Sequence, residues 1–456
     1  NVVNVGNVYC GNRATLGAVL GLGGVKNVKN VYFDAQAIGL KAAANNDVEG
    51  MYASETPALT DGKALEGLSA DLWDFKAGMY PALKAFADEP KVDAARRVLL
   101  TVKSGETVAE LYTDVTLSDA ATWTVAEGTA FRVEGGKLIV PQNVTAVTAD
   151  TLVAVNKAGV RRPILVQAVP AMPLAGRGTE AEPYVINNTD EWTSLANWIS
   201  ATAKDLKGEF VAVTADLDFT GKTVTRMGAD GITGFAATLN GRGHTVKGLD
   251  LKATANMKSG LFGTIQAAGA VTDLTFEGKV SAAYTFACPV VDNLYGRLEN
   301  IKSAMTVTTT KANAAGVAGK AYAGASFRNV EFAGTLESNQ TDLGGIVAQS
   351  EGGVSFADCK FTGTIKSTVV PTKATVINIG GLAANAGAAT FTDCLSQGTI
   401  SMAETTFTTT VAGFVGTAVG AKDNGLYTFT NCENATAITA GGKVAGFIAA
   451  APSSSS

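Results

Sequence analysis

Asp216 and Asp218 form the one tidy carboxylate pair in the chain. On a strand, residues two apart project to the same face, so the pair could hold a cation or accept the hydroxyls of a sugar. The same residues also read as a structural signature of the stretch Ala215-Asp216-Leu217-Asp218-Phe219. Glycosidases set two carboxylates across the bond they cut, but no further acid is marked out here as a partner across a cleft. His244 is the single histidine, which removes most His-based triads and nearly all His-rich metal sites. Its setting, Asn240-Gly241-Arg242-Gly243-His244, lacks the Lys-Ser/Thr pair and the strand-to-helix context of a phosphate loop. It reads as a turn followed by a hydrogen-bonding histidine.

The cysteines are Cys10, Cys288, Cys359, Cys394 and Cys432, an odd number without a CxxC pair. That spacing points to neither a disulfide framework nor a zinc site. Acidic residues do not recur along the loops as calcium-binding nonapeptides require, and no cofactor motif is present, so no cofactor is expected. Threonine runs at Thr306 to Thr310 and Thr405 to Thr410 read as solvated strand or loop surface, with stacked hydroxyls for a glycan as the alternative.

The elements that position these residues come from the composition and the repeats. The 456 residues are 46% hydrophobic but only 17% charged and 7% aromatic, with 51 Gly. Small and β-branched side chains in that proportion suit stacked β-structure. The net charge of −5 comes without a basic stripe, which argues against nucleic acid. No apolar run reaches the ~18 residues of a membrane helix.

From Gly260 two patterns alternate. One is Gly260-Leu261-Phe262-Gly263, repeated as Gly316-Val317-Ala318-Gly319, Gly344-Gly345-Ile346-Val347, Gly380-Gly381-Leu382-Ala383, Ala412-Gly413-Phe414-Val415-Gly416 and Ala445-Gly446-Phe447-Ile448. The other is Asn or Asp before an apolar residue or Cys, at Asp273, Asn300, Asn329, Asp358, Asp393 and Asn431, with spacings of 27, 29, 29, 35 and 38. A period near 29 that grows by insertion fits a solenoid whose strands stay in register while its loops vary. Residues such as Phe327, Val330 and Phe332 alternate as strands do, without helical periodicity. Each repeat is read as one coil of a right-handed parallel β-helix. Cys359, Cys394 and Cys432 then occupy one position in three consecutive coils and form an inward ladder, behaving as small apolar residues, with a redox or metal role as the alternative. At the N-terminus, Asn1-Val2 and Asn27-Val28 repeat the signature 26 residues apart.

The Gly-Leu-Phe-Gly motif and its variants resemble the GLUG-type repeat of large secreted bacterial surface proteins, Bacteroidetes-like in character. Pro183-Tyr184-Val185-Ile186, Glu191-Trp192-Thr193-Ser194-Leu195, the Ala215 to Phe219 stretch and Thr238 to Val246 fit the same resemblance. The stretch Leu68 to Leu83, with Trp73, Tyr80 and Pro81, resembles the segment that closes such repeats. Trp123 followed by a Gly turn and a strand resembles a bacterial immunoglobulin-like module, without the sheet-to-sheet disulfide of antibody domains. Asp150-Thr151-Leu152 matches a short O-glycosylation signal of some Bacteroidetes. Some large proteases acting on immunoglobulins carry GLUG-type repeats outside their catalytic part. Their zinc-binding His-Glu-x-x-His is absent here, so the resemblance implies no protease activity.

The expected fold is therefore all-β, with right-handed parallel β-helix segments flanking an immunoglobulin-like β-sandwich. Residues 1–39 are terminal coils. Residues 40–92 form a closing cap with an apolar cluster of Leu68, Trp73, Phe75, Tyr80 and Leu83. Residues 93–170 are the sandwich, a run of short strands separated by turn signals. Residues 171–206 hold an entry strand and a capping helix, with Asn188 or Thr189 at its N-cap and Trp192, Leu195 and Ile199 on one face. Residues 207–450 are the second β-helix, and 451–456 a Ser-rich tail.

This layout suggests a non-enzymatic structural or adhesive segment of a large extracellular or cell-surface repeat protein. One alternative is a glycan-binding module using Trp73, Trp123, Trp192 or Trp198. Another is a polysaccharide-degrading β-helix enzyme, although no sheet gathers the Lys, Arg and acids such a site needs. The expected partners are a host or microbial glycan or surface protein. A repeat grammar already running at Asn1 adds the expectation that the chain continues past its ends, or stacks end to end into fibres.

Overall fold

A computed structural model describes residues 2–4, 19, 28–35, 50–54, 56–86, 100–105, 107–108, 120–125, 128–134, 137–156, 161–202, 204–228, 234–253, 259–282, 286–310, 313–339, 341–368, 376–402, 409–419 and 426–450. The chain divides into two compact units, Asn1–Ala171 and Met172–Ser456.

The second unit is a parallel β-solenoid. Three sheets run along it, and every pairing in them is parallel. One inward column passes through Tyr184, Val211, Leu239, Val271, Leu298, Phe327, Phe356, Phe391 and Phe429 in direct register. The last four rings stack at centroid distances of 4.9, 4.7 and 4.9 Å. Such aromatic pairs contribute about 0.5–1.5 kcal/mol each beyond the area they bury. Strand Arg297–Thr309 shows the alternation directly, with Leu298, Ile301, Met305 and Val307 inside and Lys302, Thr306 and Thr308 outside.

Two residue types turn each coil. Asp273, Asn300, Asn329, Asp358, Asp393 and Asn431 all have φ between 48° and 58°. Asn and Asp tolerate this left-handed region because their short polar side chains bond locally. Here some bond upward as well: Asn300 Nδ2 donates to Asp273 Oδ1 (2.7 Å), and Asn329 Nδ2 to Asn300 Oδ1 (2.9 Å). At a second bend, Gly316, Gly345, Gly381 and Gly413 form a column in which a Cβ would collide with the carbonyl oxygen of the glycine one coil on. The longer repeats gain their extra residues at 369–375, 403–408 and 420–425, which lie outside the described residues, and the strands on either side keep their register.

The helix α1 (Thr189–Thr202) covers the first coil. Asn188 is its N-cap: Asn188 Oδ1 accepts the Asp190 and Glu191 N–H groups at 3.0 and 2.9 Å. Glu191 Oε2 reaches back to the Asn187 N–H at 2.6 Å, a variant of the capping box. Trp192, Leu195 and Ile199 are buried in the solenoid core as the spacing predicts. Trp192 meets the Phe219 and Phe262 rings edge-on and donates Nε1–H to the Thr225 carbonyl at 3.0 Å.

The first unit opens on a parallel sheet of Val2–Asn4, Val31–Asp34 and Met51–Ser54. Its register corrects the sequence reading. Val2 pairs with Val31, a spacing of 29, and Asn30 before it is left-handed (φ 54°), whereas Asn27 lies outside the described residues. Both Asn-Val pairs fit the signature, and only the coil length decides between them. The stack also runs past residue 39 into Met51–Ser54. Tyr32, Leu59, Leu68, Trp73 and Tyr80 form one buried cluster with Phe75 at its margin. Leu83, expected in that cluster, is instead 38% exposed on a short edge strand. Tyr80 donates its hydroxyl to the buried Asp34 carboxylate at 2.6 Å. Cys10 and most of Leu16 to Leu20 lie outside the described residues.

Among the described residues of 100–169 lie seven strands: β1 (Leu100–Lys103), β2 (Thr107–Val108), β3 (Ala120–Thr124), β4 (Arg132–Glu134), β5 (Lys137–Ile139), β6 (Thr148–Asn156) and β7 (Arg161–Val169). They form two sheets, ordered β2-β5-β4 and β1-β7-β6-β3. Among the described residues, only the β1–β7 pairing is parallel. Both sheets contribute to one core of Val102, Phe131, Leu138, Val140, Leu152, Val166 and Ala168.

Candidate functional site

The acid pair sits at the edge of the first coil, and its two members do separate work. Asp216 Oδ1 accepts the Thr245 N–H at 3.0 Å and lies 3.1 Å from His244 Nδ1. These contacts tie it to the next coil and hold its carboxyl below the usual range, the Thr245 N–H contributing most. Asp218 Oδ1 accepts the Thr220 N–H at 2.9 Å, fixing the turn that follows, and Asp218 Oδ2 lies 3.7 Å from Lys247 Nζ. Hydrogen bonds from Thr220 lower its pKa first, with Lys247 helping. His244 is in register with Leu274, the column that later carries the cysteines. Among the described residues, no group of three or more His, Cys, Asp or Glu side chains could hold a metal ion.

The cysteine ladder has one geometry repeated three times. Cys359, Cys394 and Cys432 place Sγ at 3.5, 3.5 and 3.4 Å from the carbonyl oxygens of Phe327, Phe356 and Phe391, each one coil back. All three are free thiols. Cys359 and Cys394 are buried, whereas Cys432, on the last described coil, is half-buried. Burial pushes the Cys359 and Cys288 thiols well up.

The threonine runs split. Thr306, Thr308 and Thr310 are exposed, but Thr309, Thr409 and Thr410 are buried, contrary to the surface reading. The Thr410 hydroxyl bonds Asn378 Oδ1 and Thr417 Oγ1 at 2.8 Å each, so its polarity is met inside the structure. Two coils back from Thr410, Asp342 accepts from Asn313 (3.0 Å), Gln349 (3.2 Å) and Asn378 (2.9 Å). Of the tryptophans weighed as sugar platforms, Trp73 and Trp192 are buried and Trp198 is partly buried. The Trp123 side chain lies outside what is described.

A cleft of about 460 Å³ opens beside the first coils, lined by residues 221–224, Arg226, residues 250–252 and Ser259. Behind it lies a buried ion pair. Asp292 has no exposed surface and meets the Arg226 guanidinium, and Asp292 Oδ1 also accepts the Gly260 N–H at 2.9 Å. Arg226 Nε donates to the Gly260 carbonyl at 2.6 Å. The Cys288 thiol lies 3.4 Å from Asp292 Oδ1. In front, Asp250 Oδ2 lies 3.3 Å from Lys252 Nζ and 3.4 Å from Lys279 Nζ. Partial desolvation raises the Asp250 pKa, but the two lysines outweigh it and the net shift is downward. Sequence reasoning missed this cleft. The same-face alternation Asp250-Leu251-Lys252 was a usable signal, whereas Arg226 and Asp292 are too far apart in sequence to suggest each other.

Opposite charges elsewhere stack coil on coil. Asp218 and Lys247, Asp250 and Lys279, Glu299 and Arg328, Lys302 and Glu331, and Glu337 and Lys366 are register partners at N–O distances of 3.1 to 3.7 Å. No helix among the described residues is long and apolar enough to cross a membrane.

The chain matches no known family profile. Halomucin from Haloquadratum walsbyi is 26% identical over 222 residues, which is 46% of this chain and 2% of that protein. This chain thus spans a small fraction of the curated relative it matches. A solved Bacteroides ovatus structure, described as a "putative immunoglobulin A1 protease", aligns with a TM-score of 0.45 at 17% identity, over 61% of this chain and 86% of that one.

Proposed function

We propose that the chain is a non-catalytic structural or adhesive segment of a large extracellular or cell-surface repeat protein. The observation that carries this reading is the use made of the charged side chains. Four acid–base pairs away from Asp250 are spent on coil-to-coil register, and the carboxylates singled out in the sequence are engaged by backbone donors. A glycosidase or lyase would leave such groups facing a substrate. The sequence likeness to a segment of halomucin supports a place in a long repeat protein. The glycine column supports the GLUG-type assignment of the coils. Strand order β2-β5-β4 opposite β7-β6-β3 supports an immunoglobulin-like module, because it matches B-E-D opposite G-F-C in that fold, with the first strand paired parallel to the last.

The test combines two measurements on the full chain. Incubation with a panel of plant, bacterial and host polysaccharides should release no reducing ends. Limited proteolysis should leave the 172–450 segment intact where loops elsewhere are cut. Release of reducing ends, or of unsaturated sugars, would overturn the non-catalytic reading. Rapid degradation of the solenoid would overturn the structural one.

A further inference from the structure

We infer that the cleft beside the first coils is a binding site for a neutral, hydroxyl-rich saccharide. This names a ligand for the adhesive part of the reading above and rests on it.

The cleft's volume of about 460 Å³ lies in the range of small-ligand pockets, and its lips are built rigidly. One lip is the turn after Asp218, fixed by the Thr220 N–H on Asp218 Oδ1 at 2.9 Å. That turn lies against strand Thr238–Ala253 at Gly248 (φ 68°), where a Cβ would meet Thr220 and approach Asp218 Oδ1 to 2.9 Å. Glycine at this point allows the close approach that shapes the wall.

The side chains select the ligand class. Asp250 and Lys252 stand side by side on the opposite lip, 3.3 Å apart. Side by side, the ionised carboxylate accepts from one hydroxyl and the ammonium donates to its neighbour, which is the complement of a vicinal diol. Asp250 Oδ1 is buried without a hydrogen-bond partner, so the carboxylate keeps acceptor capacity beyond its two lysines. Thr223 adds a hydroxyl, and the partly buried Val224 adds apolar surface for the C–H face of a sugar ring.

The charge balance favours a neutral ligand. The Arg226 charge is met by Asp292, Lys252 and Lys279 share Asp250, and Lys222 lies 3.9 Å from Asp190. An anion trap would leave its cations facing the cavity.

The experiment is saturation-transfer NMR and calorimetry of the full chain against neutral mono- and disaccharides, with uronic and sulfated sugars as a second arm. Asp250→Asn and Lys252→Met are compared with Glu337→Gln, which removes a charge from a ladder pair on a distant coil. Each variant is first checked for an unchanged urea midpoint, so that lost binding is not lost folding. A neutral sugar should bind saturably, and Asp250→Asn and Lys252→Met should each weaken it about tenfold or more, as loss of a charge-assisted hydrogen bond does. Glu337→Gln should leave binding unchanged. Absence of neutral-sugar binding, binding indifferent to Asp250→Asn, or binding confined to anionic sugars with steep salt dependence would each overturn the site. None of those outcomes bears on proteolytic resistance or reducing-end release, so the structural reading fails or stands separately.

Discussion

Replacing Gly381 with alanine adds one methyl group at a place where the coils leave no room for it. The new Cβ would lie 2.6 Å from Ser396 Oγ, 2.8 Å from the Phe361 ring, and closer still to the Gly413 carbonyl oxygen. The carbonyl cannot retreat freely. It accepts the Ser396 hydroxyl at 2.7 Å, and its coil is held by Gly381 N–H to Ala412 O (3.1 Å) and Leu382 N–H to Phe414 O (3.0 Å). Overpacking of this kind costs about 1–3 kcal/mol, and each buried hydrogen bond broken to relieve it adds about 1 kcal/mol. With two such bonds lost, the expected destabilisation is about 3–5 kcal/mol. Gly352→Ala is the matched control, because its Cβ would find only Ala388 atoms at 3.8 and 3.9 Å. There the smaller entropy of the unfolded chain should give a gain of about 0.4–1 kcal/mol. Urea unfolding followed by circular dichroism compares the two, with the slope monitored because a solenoid can lose coils piecemeal. Equal midpoints for the two variants would refute the glycine column as a packing constraint.

In a Cys10→Ser background, Cys432 should react with a thiol reagent first, and Cys288, Cys359 and Cys394 only on unfolding, because Cys432 is half-buried whereas the other three are enclosed in the core. Peptide mapping of native labelling that found Cys359 ahead of Cys432 would contradict the ladder. At the left-handed corner, Asn329→Gly should cost about 1 kcal/mol for the lost bond to Asn300, and Asn329→Val about 1–2 kcal/mol more for its φ of 48°; a valine variant as stable as the glycine variant would refute the corner. Asp216 has a depressed native pKa, so its contribution is complete above the ordinary value of 3.8 and fades as pH falls through the lower native value. The stability gap between wild type and Asp216→Asn should therefore be widest near neutral pH and close below 3.8; a gap that widens in acid would reverse the assignment.

The solenoid was legible in the sequence because its geometry constrains residue type at fixed intervals. Corners need Asn or Asp, the tight bend needs Gly, and the strands between them alternate. Register was less legible where two candidates satisfied one rule, as with Asn27-Val28 and Asn30-Val31. Polar residues misled where burial was compensated within the structure. Thr409 and Thr410 look like surface, yet the Thr410 hydroxyl is satisfied by Asn378 and Thr417. The cleft was hidden because its lips come from segments about thirty residues apart, brought together only by coil stacking. The buried Arg226–Asp292 pair was hidden for the same reason at greater range. Removing one partner of such a pair would cost about 3–5 kcal/mol, since the other charge would be left buried.

A chain of near-identical coils faces a problem that its core does not solve. Phe327, Phe356, Phe391 and Phe429 would still stack ring on ring if the coils paired one repeat out of step, and the glycine column would also survive the slip. The outward charges do not survive it. In the native register Lys302 pairs with Glu331, and Glu331 with Lys360; slipped by one coil, Lys302 would face Lys360. Glu299 would exchange Arg328 for Ala357, and Glu337 would exchange Lys366 for Ser401. Each exposed pair contributes only about 0.2–1 kcal/mol, and a like-charge pair costs a similar amount. As a contribution to overall stability those terms are minor. As a difference between two registers with the same aromatic core, they add with one sign along the stack and favour the native pairing.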